Sequence, residues 1–111
     1  MAAKKDVLQK IVALKRQSVE HKVRTLQIEA ERIESSIREL SASLLRIDEG
    51  AAGFEAHRLA EANGYAGKLL RDIAVARQAL KAKRAEINEA LEALKRVFHS
   101  QERLGEISSK G

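Results

Sequence analysis

Apolar residues recur every seven positions along the first fifty residues of the chain. A second series follows the first at a spacing of four residues, and together they form the a and d positions of a heptad repeat. The two series are Val12, Val19, Leu26, Ile33, Leu40, Ile47 and Arg16, Val23, Ala30, Ile37, Leu44. A seam sustained for more than four heptads predicts a long helix that supercoils left-handedly with a partner helix. We predict helix 1 from about residue 6, with Asp6 as N-cap, to residue 49.

Glycines interrupt this pattern twice. Gly50 and Gly53 follow the last heptad, and each glycine lowers helix propensity by about 1 kcal/mol. The dipeptide Asn63-Gly64 readily adopts a positive φ and is typical of a turn. We therefore predict a connecting tip over residues 50–64. It could hold a short helix lined by Phe54, Leu59 and Ala62.

The heptad pattern resumes after the tip and predicts helix 2 over about residues 65–104. Lys83 and Arg84 interrupt its phase, and the flanking apolar positions make its stripe broader than a strict seam. Residues 105–111 are predicted to be a frayed tail. The apolar spine of helix 2 is Ala66, Ile73, Leu80, Ile87 and Leu94.

Two long amphipathic helices with a short connection usually fold back on each other. We therefore predict an all-α fold, an antiparallel two-helix coiled-coil hairpin that forms a single domain over residues 1–111. The apolar spines coincide when facing residues have numbers that add to 104–106, which places Leu26 opposite Leu80. The alternative is one continuous parallel dimer, and it requires a helix that runs through all three glycines.

Composition and charge limit the classes of function. The 111 residues include no proline or tryptophan, and three residues are aromatic. Because cysteine is also absent, a disulfide framework and a zinc–thiolate site are excluded. No apolar run approaches the roughly 20 residues that cross a bilayer, so we expect a cytosolic protein without membrane insertion. The net charge is +5, and residues 1–24 hold seven basic and two acidic side chains. This asymmetry suggests an acidic partner near the N-terminal end.

The sequence offers little material for catalysis. His21, His57 and His99 lack metal-ligand spacing, and no glycine-rich phosphate loop is present. We expect no catalytic residue, no metal site and no cofactor. Nucleic-acid binding through clusters such as Lys81, Lys83 and Arg84 is disfavoured, because no aromatic platform stands among them. A coiled-coil scaffold or adaptor in some bacterial assembly remains an open alternative.

The second helix opens with Tyr65-Ala-Gly-Lys-Leu69-Leu-Arg-Asp-Ile73 and closes with Gln101-Glu-Arg-Leu104. With the basic first helix and the glycine-containing tip, this arrangement resembles the flagellar export protein FliJ and its injectisome relative YscO. The resemblance implies a non-enzymatic accessory subunit of a type III export apparatus. Its expected partners are the export ATPase hexamer, the cytoplasmic domain of the export gate and export chaperones. Its expected location is cytoplasmic, peripheral to the inner membrane.

The resemblance also implies which residues make these contacts. The gate-contacting stripe would comprise Tyr65, Leu69, Asp72 and Ala76. The alternative for this stripe is structural, with Leu69 and Ala76 packed in the seam and Tyr65 capping the tip. The ATPase ring would receive the basic paired ends of the hairpin. The residues expected there are Lys4, Lys5, Lys10, Lys15, Arg16, Lys95 and Arg96.

Overall fold

The structure is a computed structural model that describes residues 2–50 and 56–110. Side chains are described at residues 4–50 and 58–107. The described residues form two long helices. Helix α1 comprises Ala2–Gly50 and helix α2 comprises Ala56–Lys110. Every residue in these two ranges is helical. The predicted antiparallel two-helix coiled-coil hairpin is confirmed.

The heptad seam is the buried face of both helices. Every a and d position from Val12 to Ile47 in α1 is buried or half-buried, and so is every corresponding position from Ala62 to Leu104 in α2. No described side chain is less than 2% exposed, because one helix can cover only one side of another. The most deeply buried residues are Val23, Leu26, Ala30, Leu69, Ile73, Leu80 and Ala90.

Contacts divide the chain into two compact units, and each unit contains part of both helices. The terminal unit comprises residues 1–28 and 84–111, and the middle unit comprises residues 29–83. In the terminal unit, Val23, Leu26 and Ala90 form an apolar cluster against which Val19 and Ile87 pack. Near the chain ends of this unit, the Lys5 Nζ donates a 3.2 Å hydrogen bond to the carbonyl of Ile107. Residues early in α1 therefore contact residues late in α2, as antiparallel pairing requires.

The pairing of the helices differs from the predicted register by one heptad. Residues in contact have numbers that add to about 113 in the apolar cluster of the terminal unit and to 112 for Lys5 with Ile107. In the middle unit, Glu29 and Lys83 also add to 112. The predicted sum of 104–106 is therefore wrong. Leu26, expected opposite Leu80, lies instead with Ile87 and Ala90.

One ion pair favours the observed register. A shift of seven residues superimposes one heptad spine on another, so apolar pairing alone does not distinguish the two arrangements. In the predicted register, Lys83 would face Lys22, and the two like charges would repel. In the observed register, the Lys83 Nζ lies 2.6 Å from a carboxylate oxygen of Glu29. This contact at a seam position favours one of the pairings that the apolar residues leave equivalent.

Both helices begin earlier than predicted. Helix α1 starts at Ala2, so Asp6 lies inside the helix and is not its N-cap. Helix α2 starts at Ala56, so the predicted break at Asn63-Gly64 is wrong and residues 56–62 form the first turns of α2 rather than a separate tip helix. No described glycine has a positive φ. The predicted tip residue Phe54 lies outside the described residues.

Cooperativity accounts for these longer helices. One glycine costs about 1 kcal/mol, but extending an existing helix requires no new nucleus. The seam also continues across Gly64, since Ala62 and Ala66 are both half-buried. At the other end, α2 runs to Lys110, so the helix extends beyond its predicted end at residue 104 and through residues 105–110 of the predicted tail. The hydrogen bond from Lys5 to Ile107 holds this last segment against α1.

We predict that the Glu29–Lys83 pair contributes to both stability and register. Lys83→Glu should lower the free energy of unfolding by about 1 kcal/mol, because Glu29 is 41% exposed and water screens the pair. Adding Glu29→Lys should restore most of this loss. Thermal and urea denaturation monitored by circular dichroism would measure both changes. Lys81→Glu, at an exposed position two residues away, is the control and should have little effect. Failure of the reversed pair to recover stability would contradict a direct interaction.

Candidate functional site

The net positive charge of the chain belongs to the terminal unit. Residues 1–28 and 84–111 hold twelve lysines and arginines against seven acidic residues, whereas residues 29–83 hold nine of each. The excess comes from the α1 part, because residues 84–111 hold five of each sign. Exposed charges of one sign attract a partner of the opposite sign and accelerate its association. The terminal unit is therefore the candidate site for an acidic partner.

Arg16 occupies a seam position and is held within the hairpin. Its Nε donates a 2.8 Å hydrogen bond to Glu20 on the next turn of α1. Its guanidinium lies 4.5 Å from the centroid of the Phe98 ring on α2, which is within the range of a cation–π contact. A longer hydrogen bond of 3.4 Å reaches the side-chain oxygen of Gln101. Glu20 therefore pairs with Arg16.

These contacts divide the basic residues expected at the ATPase ring into two groups. Arg16 and Lys5 are half-buried and bonded to the other helix, so they serve the hairpin itself. The remaining five have exposed side chains on the terminal unit and are accessible to a partner. They are Lys4, Lys10, Lys15, Lys95 and Arg96.

The four residues of the expected gate stripe lie on α2 in the middle unit, in two different environments. Leu69 is only 4% exposed and belongs to the seam, and Ala76 is half-buried there. Leu69 is thus not accessible to a partner. Tyr65 is 52% exposed and Asp72 is also exposed. A partner that binds this face would therefore contact Tyr65 and Asp72.

Sequence reasoning missed an apolar groove along one edge of the terminal unit. The groove has a volume of about 500 Å³, and side chains of both helices line it. The available signal was the pair Ala93 and Ser100, two small residues seven positions apart beside the α2 seam. Small side chains at an edge leave space between the helices. The lining residues are Leu8, Ile11, Val12, Lys15, Val19, Ala93, Arg96, Val97 and Ser100.

Other chemistry is limited in the part of the chain that the structure describes. No group of three or more His, Asp or Glu side chains there is arranged to hold a metal ion. His99 lies 3.7 Å from Glu102 one turn away, and both side chains are well exposed. Neither of the two helices, over its described residues, combines the length and the hydropathy needed to cross a membrane.

Comparisons with known proteins identify no relative of this chain. No family model matches the sequence, no curated protein matches it, and no solved structure matches the chain. The class of protein is therefore defined by the fold alone, as an antiparallel helical hairpin of the coiled-coil type.

We predict a measurable coupling between Arg16 and Phe98. In a double-mutant cycle, Arg16→Met and Phe98→Leu keep apolar volume while removing the charge and the ring. We expect a coupling energy of about 0.5–1 kcal/mol from urea unfolding, the range of partly exposed cation–π contacts. Leu91→Ala combined with Arg16→Met is the control, because Leu91 lies one heptad away from Phe98 on α2. If the effects of Arg16→Met and Phe98→Leu add fully, the interaction contributes nothing to stability.

Proposed function

We propose that this chain is a non-enzymatic accessory component of a flagellar or type III protein export apparatus. It would act as a coiled-coil stalk that binds the export ATPase ring, the export gate and export chaperones. The proposal draws on the resemblance to FliJ and YscO. The observation that supports it is an antiparallel hairpin whose whole net charge of +5 belongs to the unit that contains both chain ends.

Such a unit has the chemistry to enter a ring of opposite charge. The terminal unit of the hairpin would enter the ring, and its exposed residues Lys4, Lys10 and Lys95 would meet acidic side chains there. Their long side chains would contribute more to the association rate and to orientation than to affinity. In this role the protein would be cytoplasmic, at the inner face of the membrane when assembled.

The ATPase assignment predicts a specific interaction in the native cytoplasm. A pull-down with this protein as bait, followed by mass spectrometry, should recover a hexameric export ATPase with its phosphate-binding loop. Lys4→Glu/Lys10→Glu/Lys95→Glu should abolish that recovery, since three exposed positive charges become negative. The matched control reverses three exposed positive charges of the middle unit and should leave recovery of the ATPase intact. This control is Lys68→Glu/Arg71→Glu/Lys81→Glu.

Other outcomes of the pull-down, or of a nucleic-acid retention assay, favour the competing roles. An unrelated assembly in place of the ATPase would indicate a scaffold or adaptor. Retention on DNA or RNA that falls steeply between low and moderate salt would indicate nucleic-acid binding. Either result, without the ATPase, would contradict the stalk proposal and leave the hairpin unchanged.

The gate assignment predicts a role for Tyr65, the exposed aromatic residue near the start of α2. Tyr65→Ala should lower binding to the cytoplasmic domain of the gate and reduce secretion, because an exposed aromatic side chain is a frequent anchor at interfaces. Val75→Ala is the matched control, since Val75 is 70% exposed on the same helix. Circular dichroism would verify that both variants stay helical. Unchanged gate binding and secretion in Tyr65→Ala would remove this assignment.

A further inference from the structure

The apolar groove of the terminal unit extends along several turns of both helices. A second cavity, lined in part by Lys22 and Ala90, shares the residues Val19, Ala93 and Arg96 with it, so the two adjoin. Together they run beside α1 from Leu8 to Lys22. At a rise of 1.5 Å per residue, this distance is about 21 Å, or four helical turns.

The groove has an apolar floor and an exposed apolar margin. Val12, Val19 and Val97 are half-buried on the floor, and the small side chains of Ala93 and Ser100 provide the depth. Leu8 and Ile11 at the margin remain 50% and 48% exposed. Adjacent exposed apolar side chains are characteristic of a surface that a partner covers.

Basic side chains border this apolar surface on both helices. Lys15 on α1 and Arg96 on α2 line the groove, and no described acidic residue lines it. The second cavity carries both signs of charge, since Glu86 and Glu89 line it together with Lys22. The three basic side chains are exposed, and among the residues that the structure describes none of them makes an ion pair. A ligand that fills the groove would therefore gain from carrying negative charge beside its apolar face.

We propose that this groove binds an amphipathic α-helix of a partner protein whose apolar stripe is bordered by aspartate or glutamate residues. A helix fits because the channel between two packed helices accepts the side-chain ridge of a third helix. The apolar stripe would cover Leu8, Ile11 and the valine floor, and the acidic borders would pair with Lys15 and Arg96. This site does not depend on the proposed export function, since any assembly could supply such a helix.

Two other occupants fit less well. A second copy of this chain, related by a two-fold axis through the groove, would bring Lys15 and Arg96 of both copies together. An anionic lipid surface is flat or convex towards the protein, whereas the depth at Ala93 and Ser100 requires a side chain that inserts. Charge and shape together therefore favour an acidic helix.

The test uses two synthetic helical peptides of about 18 residues, long enough to form helix in water. They share one leucine and alanine stripe, and the stripe is bordered by glutamate in one peptide and lysine in the other. Fluorescence anisotropy with the full chain should show that the glutamate peptide binds at least about tenfold more tightly. Lys15→Glu/Arg96→Glu should reverse this preference, and Lys68→Glu/Lys81→Glu in the middle unit should not.

A second variant tests the groove without changing its charge. Ala93→Gln fills the floor with a good helix former and should weaken binding of the glutamate peptide at least about tenfold. Ala85→Gln is the matched control, because Ala85 is exposed on the same segment of α2 and lines neither cavity. Circular dichroism would confirm that both variants are helical.

Several results would overturn the proposal. These are failure of both peptides to bind, equal affinity for the two peptides, or an unchanged affinity in Ala93→Gln. Sedimentation that shows a dimer abolished by Ala93→Gln would make a second copy the occupant. Binding to phosphatidylserine vesicles that Lys15→Glu/Arg96→Glu abolishes, without peptide binding, would make it a lipid surface. Because the test uses peptides, a failed ATPase pull-down would leave its outcome unaffected.

Discussion

A single seam of side chains between α1 and α2 has to stabilise the described chain, since those residues form no third element. Seven described side chains along it are buried and its other positions are half-buried, so each turn contributes modestly and stability accumulates with length. Helices of 49 and 55 residues are the consequence. A heptad seam also permits sliding by seven residues, because apolar layers then pair equally well. Glu29 with Lys83, and Arg16 with Phe98, supply the contacts that favour one alignment.

The sequence predicts the seam and the helical class because both follow from the spacing of apolar residues. Val23 and Leu26 are buried where their heptad positions require. The helix ends and the register do not follow in the same way. Gly64 resembles a turn residue locally, but the neighbouring seam positions outweigh its cost. Likewise, the basic character of Arg16 suggested a partner contact, although its position in the seam directs it to Phe98 and Glu20. The groove escaped prediction because it depends on which residues of the two helices lie side by side.

A two-helix hairpin leaves most of its surface available for partners. In the terminal unit this surface is basic on α1 and carries an apolar groove, and these features suit an acidic helical partner. In the middle unit the charges balance, and Tyr65 is an exposed aromatic residue. The proposed role as a stalk in an export apparatus uses both units for different contacts. In that role the described side chains would bind and orient partners.

The register is tested most directly by cysteine cross-linking, since the chain has no native cysteine. Val23→Cys/Ala90→Cys joins two residues of one apolar cluster, whereas Leu26→Cys/Leu80→Cys joins positions that face each other only in the alternative register. Mild oxidation of dilute protein, followed by non-reducing electrophoresis, would separate the cross-linked monomer. The observed register predicts rapid intramolecular cross-linking of the first pair and little of the second. Cross-linking of the second pair without the first would contradict it.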